Sequence, residues 1–359
     1  MSLKEKEDQL DQAIIDNLIN LYKSGKLDEA KEKIENFIKK FPKSFILYNL
    51  LGAILANQNK LEEAVKFHQK AIEINPNYPE GYNNLGIALQ KLGRLTDAAN
   101  NYEIAIKIKP NFAQAYNNNA TTLKYLNKFD EALVYCKKAI ALKPDLVDAH
   151  NNLGAILKDL DRYEESIKSF KKAIELNKDY AEAYYNLGIV LKKIGEIDQS
   201  VENFKKTITI NPNHHKAYSN YLFNLNYSTK HNDQYNFTAA KNFGSSLRKI
   251  ENSLCSPYQY ELNPKKINIG FVSGDFKKHP VGFFLLDIVK YLKKNFNLFA
   301  YSNFKNEDDL TTELKPHFYN WKKIVDLSDL ELINQIRNDK INILFDLSGH
   351  SGNNRLPIF

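Results

Sequence analysis

The chain has 359 residues, 43% hydrophobic and 26% charged, the composition of a folded globular protein with about two domains' worth of chain. Its charge of +7 is a small excess of 50 basic over 43 acidic residues, and residues 263–359 carry 14 Lys and Arg against 11 Asp and Glu, so neither part offers the focused basic face that nucleic acid requires. The longest apolar stretch, Val281 to Val289, is broken by Asp287 and is far short of the roughly 18–20 residues that span a bilayer.

The start, MSLKEKEDQLDQ, is charged and has no signal-peptide core. Residues 1–10 read as a tail. A 34-residue period follows. Pro42, Pro76, Pro110 and Pro144 keep it, Lys178 interrupts it, and Pro212 resumes it. Gly52, Gly86, Gly154 and Gly188 share a second column, with Ala120 in place of one glycine. Ala30, Ala64, Ala98 and Ala132 form a third, continued by Ser166 and Ser200, and Ala71, Ala105, Ala139 and Ala173 a fourth. Tyr48, Tyr82, Tyr116, His150 and Tyr184 form a fifth. Within one unit Leu85, Leu89 and Leu92 fall on one helical face, small residues let a second helix approach, and proline ends the pair. Such units stack into a solenoid.

The pattern resembles the tetratricopeptide repeat, in six copies over residues 11–214, and implies a superhelix whose concave face binds peptide. Asn84, Asn118, Asn152, Asn186 and Asn220 sit two residues after the aromatic column. On the first helix of each repeat these amides would grip an extended peptide backbone, or bond one repeat to the next. Leu50 holds this position in the second repeat, so the grip starts at Asn84.

Residues 215–262 read as the start of a seventh repeat, with Tyr218, Tyr221 and Leu222, then a helix around residues 237–250 and a linker. Cys255 lies in that linker; it and Cys136 are far apart and fit neither a disulfide framework nor a zinc site, so the expected setting is cytoplasmic. Three strands follow, at 267–272, 298–301 and 341–346, alternating with helices at 281–294 and 329–338. That alternation predicts a parallel α/β sheet, with chemistry in the loops at the carboxyl ends of its strands. One such loop is Ser273-Gly274-Asp275-Phe276-Lys277-Lys278-His279-Pro280 and the other runs from Leu347 through Ser348, Gly349 and His350 to Arg355. Pro280 suits a first helical turn, which puts His279 at a helix N-terminus, where the dipole favours a neutral, proton-accepting imidazole. Asp275 would act in the site or cap the loop.

The blocks IGFVSGDFKKHPVGFFL, FNLFAYSN and INILFDLSGHSGNNRLPIF resemble the opening of the catalytic region of protein O-linked N-acetylglucosamine transferases and of SPINDLY-like O-fucosyltransferases. The resemblance covers essentially the whole chain. It implies inverting transfer of a sugar from a nucleotide donor such as UDP-GlcNAc to Ser or Thr of proteins bound in the repeat groove, with no metal or other cofactor, on a fold of two Rossmann-like lobes (GT-B type). It places His279 and Asp275 in the catalytic role and His350, Gly349 and Arg355 along the site. It also makes residues 263–359 the first part of the N-terminal lobe. In the family an Arg-Pro-Ala-Pro segment and a second lobe, with most donor contacts, come next. The expectation is therefore a chain that alone binds peptide without turnover, completed by a separately encoded lobe, or a peptide-binding scaffold with a vestigial lobe.

Overall fold

A computed structural model describes residues 11–254, 264–349, 354, 355 and 358. It divides into two compact units, Met1–Val190 and Leu191–Phe359. The first unit is built from helix pairs: α1 (Gln12–Lys23) with α2 (Leu27–Lys40), α3 (Phe45–Asn57) with α4 (Leu61–Ile74), α5 (Pro79–Lys91) with α6 (Leu95–Ile108), α7 (Ala113–Tyr125) with α8 (Phe129–Leu142), and α9 (Val147–Asp159) with α10 (Tyr163–Leu176). The first helices of successive repeats lie side by side, α3 on α5, α5 on α7 and α7 on α9. The division falls within α11 (Ala181–Lys193), which opens the sixth repeat.

A column that residue identity hides sets the turn inside each pair. Gly25, Asn59, Gly93, Asn127, Asp161 and Gly195 recur every 34 residues, all with φ between 57° and 84°. The left-handed conformation costs least for Gly, Asn and Asp, so the column mixes all three. It lets the next N–H reach back to the preceding helix, as Lys60 does to Leu55 and Arg94 to Leu89, both at 2.9 Å.

The glycine column has a packing cause. A Cβ at Gly52 would lie 2.7 Å from the His68 ring, one at Gly86 2.6 Å from Tyr102, and one at Gly154 2.6 Å from Phe170. Each glycine thus seats a ring from the second helix of its own repeat. Where the column carries Ala120 the corresponding position is Cys136, a small buried residue whose Sγ reaches the Ala149 carbonyl at 3.1 Å. Burial pushes that thiol up to about 12, so it is inert. Gly154→Ala is expected to destabilise the first unit by about 1–3 kcal/mol through overpacking, read by urea melts. Adding Phe170→Cys, which copies the Ala120–Cys136 pair, should give a favourable coupling of about 1 kcal/mol or more; strict additivity would show that the ring moves aside freely.

In the second unit α12 (Ile197–Ile210), α13 (His215–Leu225) and α14 (Asp233–Leu254) are tied by Asn224 to Ser200 (2.9 Å), Ser228 to Asp198 (2.6 Å) and Tyr221 to Tyr235 (2.8 Å). The unit begins earlier than the change of sequence pattern near residue 263, because α13 meets the α/β part: Asn354 donates to Ser219 at 3.5 Å, and His215 feels the Asp329 carboxylate.

Among its described residues the α/β part has four parallel strands, one more than expected: β1 (Asn268–Ser273), β2 (Asn297–Ser302), β3 (Asn320–Lys323) and β4 (Ile343–Asp346), in the order β3-β2-β1-β4. The extra strand, β3, reads Asn-Trp-Lys-Lys, short and charged, as suits a sheet edge but not a hydrophobic pattern. Its Lys322 pairs with Asp339 at 2.7 Å. Side-chain alternation splits the sheet into two faces. Ile269, Phe271, Leu298 and Ala300 pack with Leu285 and Val289 of α15 (Pro280–Leu292) and Leu310 of α16 (Asp309–Leu314). Val272, Phe299 and Tyr301 pack with Leu332 of α17 (Asp329–Asn338). Among the described residues no helix is long and apolar enough to cross a membrane.

Candidate functional site

Parallel pairing of β1 with both β2 and β4 brings the loops after β1 and β4 to the same sheet end. The Gly274 N–H donates to Ser348 Oγ at 3.1 Å, joining the two loops. Asp346 closes β4 with a carboxylate that accepts from Ser348 N and Gly349 N, both at 2.9 Å. That turn holds Gly349 at φ 53°, which accounts for the glycine. His350 lies outside the described residues.

The β1 loop is firmly held. Its Phe276 is fully buried among Phe318 and Trp321, and Thr311 Oγ1 donates to the Phe276 carbonyl at 2.8 Å. The Lys278 N–H meets Asp308 Oδ2 at 2.6 Å, and this bond, ahead of others from Thr311, holds the Asp308 carboxyl below its ordinary range. The loop also folds over the first turn of α15, where a Cβ at Gly282 would lie 2.4 Å from the Lys277 carbonyl oxygen. Only glycine admits so close a backbone.

Asp275 sits in this frame at 8% exposure; its N–H donates to Ser273 Oγ at 2.9 Å, and its carboxylate has no hydrogen-bond partner among the described residues. His279 is the N-cap of α15, with Nδ1 accepting the Val281 N–H at 3.3 Å. The bond takes the Nδ1 lone pair and leaves Nε2 as the ring's N–H. Position at the helix start is as expected; a proton-accepting role at Nδ1 meets a competing use.

The cations near these loops are engaged. Lys278 Nζ pairs with Asp309 at 2.8 Å and Lys277 Nζ stands over the Phe304 ring at 5.8 Å. Arg355 donates to the carbonyls of Ile324 (3.2 Å) and Leu327 (2.9 Å) and pairs with Asp329 at 2.8 Å. It thus braces the segment after β3, two strands from the Asp275 loop, and does not join it. Sequence reasoning passed over Ser273, Asp346 and Ser348, which join the loops; the signal was the Asp-Leu-Ser-Gly turn at the end of β4.

On the repeats the asparagine column bonds repeat to repeat. Asn84 donates to Asn49 (3.1 Å), Asn118 to Asn83 (2.9 Å), Asn152 to Asn117 (2.9 Å) and Asn186 to Asn151 (3.1 Å). The acceptors are a buried second asparagine column, missed in the sequence although it lies one residue before the first. At Asn152 both N–H groups are taken, the second by Thr121 Oγ1 at 3.0 Å; at Asn118 one has no acceptor among the described residues. The ladder stops at Asn220. The residue 35 positions before it is Tyr185, not an amide, and Asn220 donates to the Lys216 carbonyl at 2.9 Å.

Helix pairs of this kind, followed by a parallel α/β sheet with joined loops at its carboxyl end, define a tetratricopeptide-repeat protein with a Rossmann-like α/β region. Tetratricopeptide models match residues 19–44, 52–93, 79–112, 113–146, 135–168, 156–195 and 181–214, and glycosyl transferase family 41 matches residues 199–359. The chain is a tetratricopeptide array, and its C-terminal part is similar to the glycosyl transferase family 41 model. Similar curated proteins are the "Probable UDP-N-acetylglucosamine--peptide N-acetylglucosaminyltransferase SPINDLY" of Solanum lycopersicum and that of Oryza sativa subsp. japonica, each 27% identical over 142 residues, or 38% of this chain and 15% of the relative. A solved O-GlcNAc transferase variant of Thermobaculum terrenum is 26% identical with a TM-score of 0.54, over 68% of this chain and 48% of that one. The Cut9 and Hcn1 structure, at 16% identity and a TM-score of 0.58, shares the fold alone. The match thus spans less than half the length of the solved transferase and 15% of the curated relatives.

Proposed function

We propose that the chain serves protein O-glycosylation of the O-GlcNAc transferase and SPINDLY type, moving a sugar with inversion from a nucleotide-sugar co-substrate to Ser or Thr of proteins held by the repeats. The observation that supports it best is the joined β1 and β4 loops, where a nearly buried Asp275 carboxylate, without a hydrogen-bond partner among the described residues, and His279 stand at the carboxyl end of a parallel sheet. In the proposed step the hydroxyl oxygen bonds to the anomeric carbon as the bond to the diphosphate oxygen breaks. The hydroxyl proton goes to Asp275, a carboxylate in the loop without a hydrogen-bond partner among the described residues, and the His279 Nε2–H orients the acceptor.

Charge developing on the diphosphate needs cationic stabilisation, often the largest catalytic term. Lys277, Lys278 and Arg355 are already engaged, so that charge is met by residues other than these. Residues 1–359 by themselves are expected to bind acceptor peptide and transfer no sugar from UDP-N-acetylglucosamine or GDP-fucose. Measurable transfer by the purified chain overturns that half of the proposal. In an assembly that does transfer, Asp275→Asn should lower turnover by about 10²–10⁴-fold and His279→Ala should lower it too, with peptide affinity unchanged. Full turnover in Asp275→Asn moves the base elsewhere. The engaged cations equally favour a second reading, a peptide-binding scaffold; it holds if no assembly containing this chain binds or turns over a nucleotide sugar.

A further inference from the structure

Between α5 and α7 lies a pocket of about 690 Å³ lined by Ile87, Gln90, Lys91, Leu95, Asn118 and Tyr125. It opens where the asparagine ladder passes, and Asn118 belongs to both. The polar groups around it are unequally matched. At the N-terminal ends of the neighbouring first helices the acids are engaged: Glu80 of α5 pairs with Lys109 at 2.8 Å, and Asp148 of α9 accepts from Tyr180 Oη at 2.7 Å. At the C-terminal ends the balance is positive. Lys91 is exposed and has no ion-pair partner among the described residues. Lys124 Nζ stands over the Tyr125 ring at 5.2 Å, and its side chain is 22% exposed. Its nearest carboxylate, Asp159 at 3.9 Å, is held more closely by Lys158 at 2.9 Å. Two ammonium groups therefore share one acid, a third has none, and Gln90 and Asn118 add only neutral amides. Burial also pulls the Lys124 ammonium down from its ordinary range, against the pull of Asp159, so a further anion there would be stabilising.

We propose that this pocket takes a carboxylate side chain from an extended acidic peptide whose backbone runs along the asparagine ladder. The inference rests on the reading that the repeats hold the acceptor protein, and it adds which acceptors: segments with Asp or Glu near the modified Ser or Thr. Tyr125 and Ile87 supply the apolar walls for the methylenes of Glu, Lys91 in the lining meets the carboxylate, Lys124 beside the Tyr125 ring adds positive charge just outside the lining, and the second N–H of Asn118 serves the adjoining peptide carbonyl.

The test is fluorescence anisotropy with the whole chain and three labelled peptides of equal length, one rich in Asp and Glu, one with Asn and Gln in their place, and one with Lys. Expected is at least 10-fold tighter binding of the acidic peptide than of its amide counterpart at low salt. That preference should shrink in 0.5 M salt and in Lys91→Gln, be lost in Lys91→Gln with Lys124→Gln, and persist in Lys91→Arg. Lys91 is exposed and has no ion-pair partner among the described residues, so its variant keeps the fold, which a circular dichroism melt confirms. Equal affinity for acidic and amide peptides, or a preference that survives the double variant, overturns the inference and leaves the acceptor reading standing. If none of the three peptides binds, the acceptor reading fails with it.

Discussion

Between pH 7 and pH 4 the repeat unit should lose about 3 kcal/mol of stability through one side chain, His68. Its ring is 1% exposed, seated against Gly52, with Nδ1 against Asn49 Oδ1 at 2.9 Å. Burial pushes its pKa down to about 4. A histidine so depressed favours the neutral fold. Its contribution is complete above the unfolded value near 6.5 and falls away as the pH drops toward 4, at about 1.4 kcal/mol per pH unit. Urea melts from pH 7 to pH 4 measure this slope. His68→Phe, which installs the ring found at Phe170, should remove the His68 share of it while leaving Asn49 its bond from Asn84. An identical pH slope in the variant would place the acid sensitivity elsewhere.

The second large effect is a gain. Asn119 on α7 is fully buried, and neither atom of its amide has a hydrogen-bond partner among the described residues. The equivalent positions, 34 residues apart, are Leu51, Leu85, Leu153 and Leu187. A buried polar group without a partner costs about 1–3 kcal/mol, and leucine restores the apolar column. Asn119→Leu is thus expected to raise stability by about 1–3 kcal/mol, read as a higher Tm and urea midpoint. An unchanged midpoint would mean that the amide is satisfied in solution, by water or a ligand. Asn118 beside it lines the acidic-peptide pocket, so peptide affinity measured on the same variant shows whether the core amide serves that pocket.

Both effects sit in columns where one residue departs from its neighbours, and this shows what sequence alone determines in such a chain. The 34-residue period, the helix pairs and the small-residue contacts were readable because every repeat solves the same packing problem with the same residue types. The strand-loop blocks were readable because buried parallel strands need apolar runs and their loops need Gly, Asp and His in particular places. Tertiary structure decided the rest. Each glycine faces a ring sixteen residues later, a distance no helical period reveals. The amides of Asn84, Asn118, Asn152 and Asn186 point to the preceding repeat as well as to any guest, because a second asparagine column lies within reach only once the helices stack. The edge strand β3 exists because β2 offers it hydrogen bonds, not because Asn-Trp-Lys-Lys favours a strand. His279 was placed at a helix start by Pro280, yet only the folded loop shows Nδ1 turned to the Val281 N–H and the Asp275 carboxylate without a hydrogen-bond partner among the described residues. Sequence periodicity fixes which elements form, since it reports each residue's local burial; which polar groups meet depends on contacts between elements, and those arise only on packing.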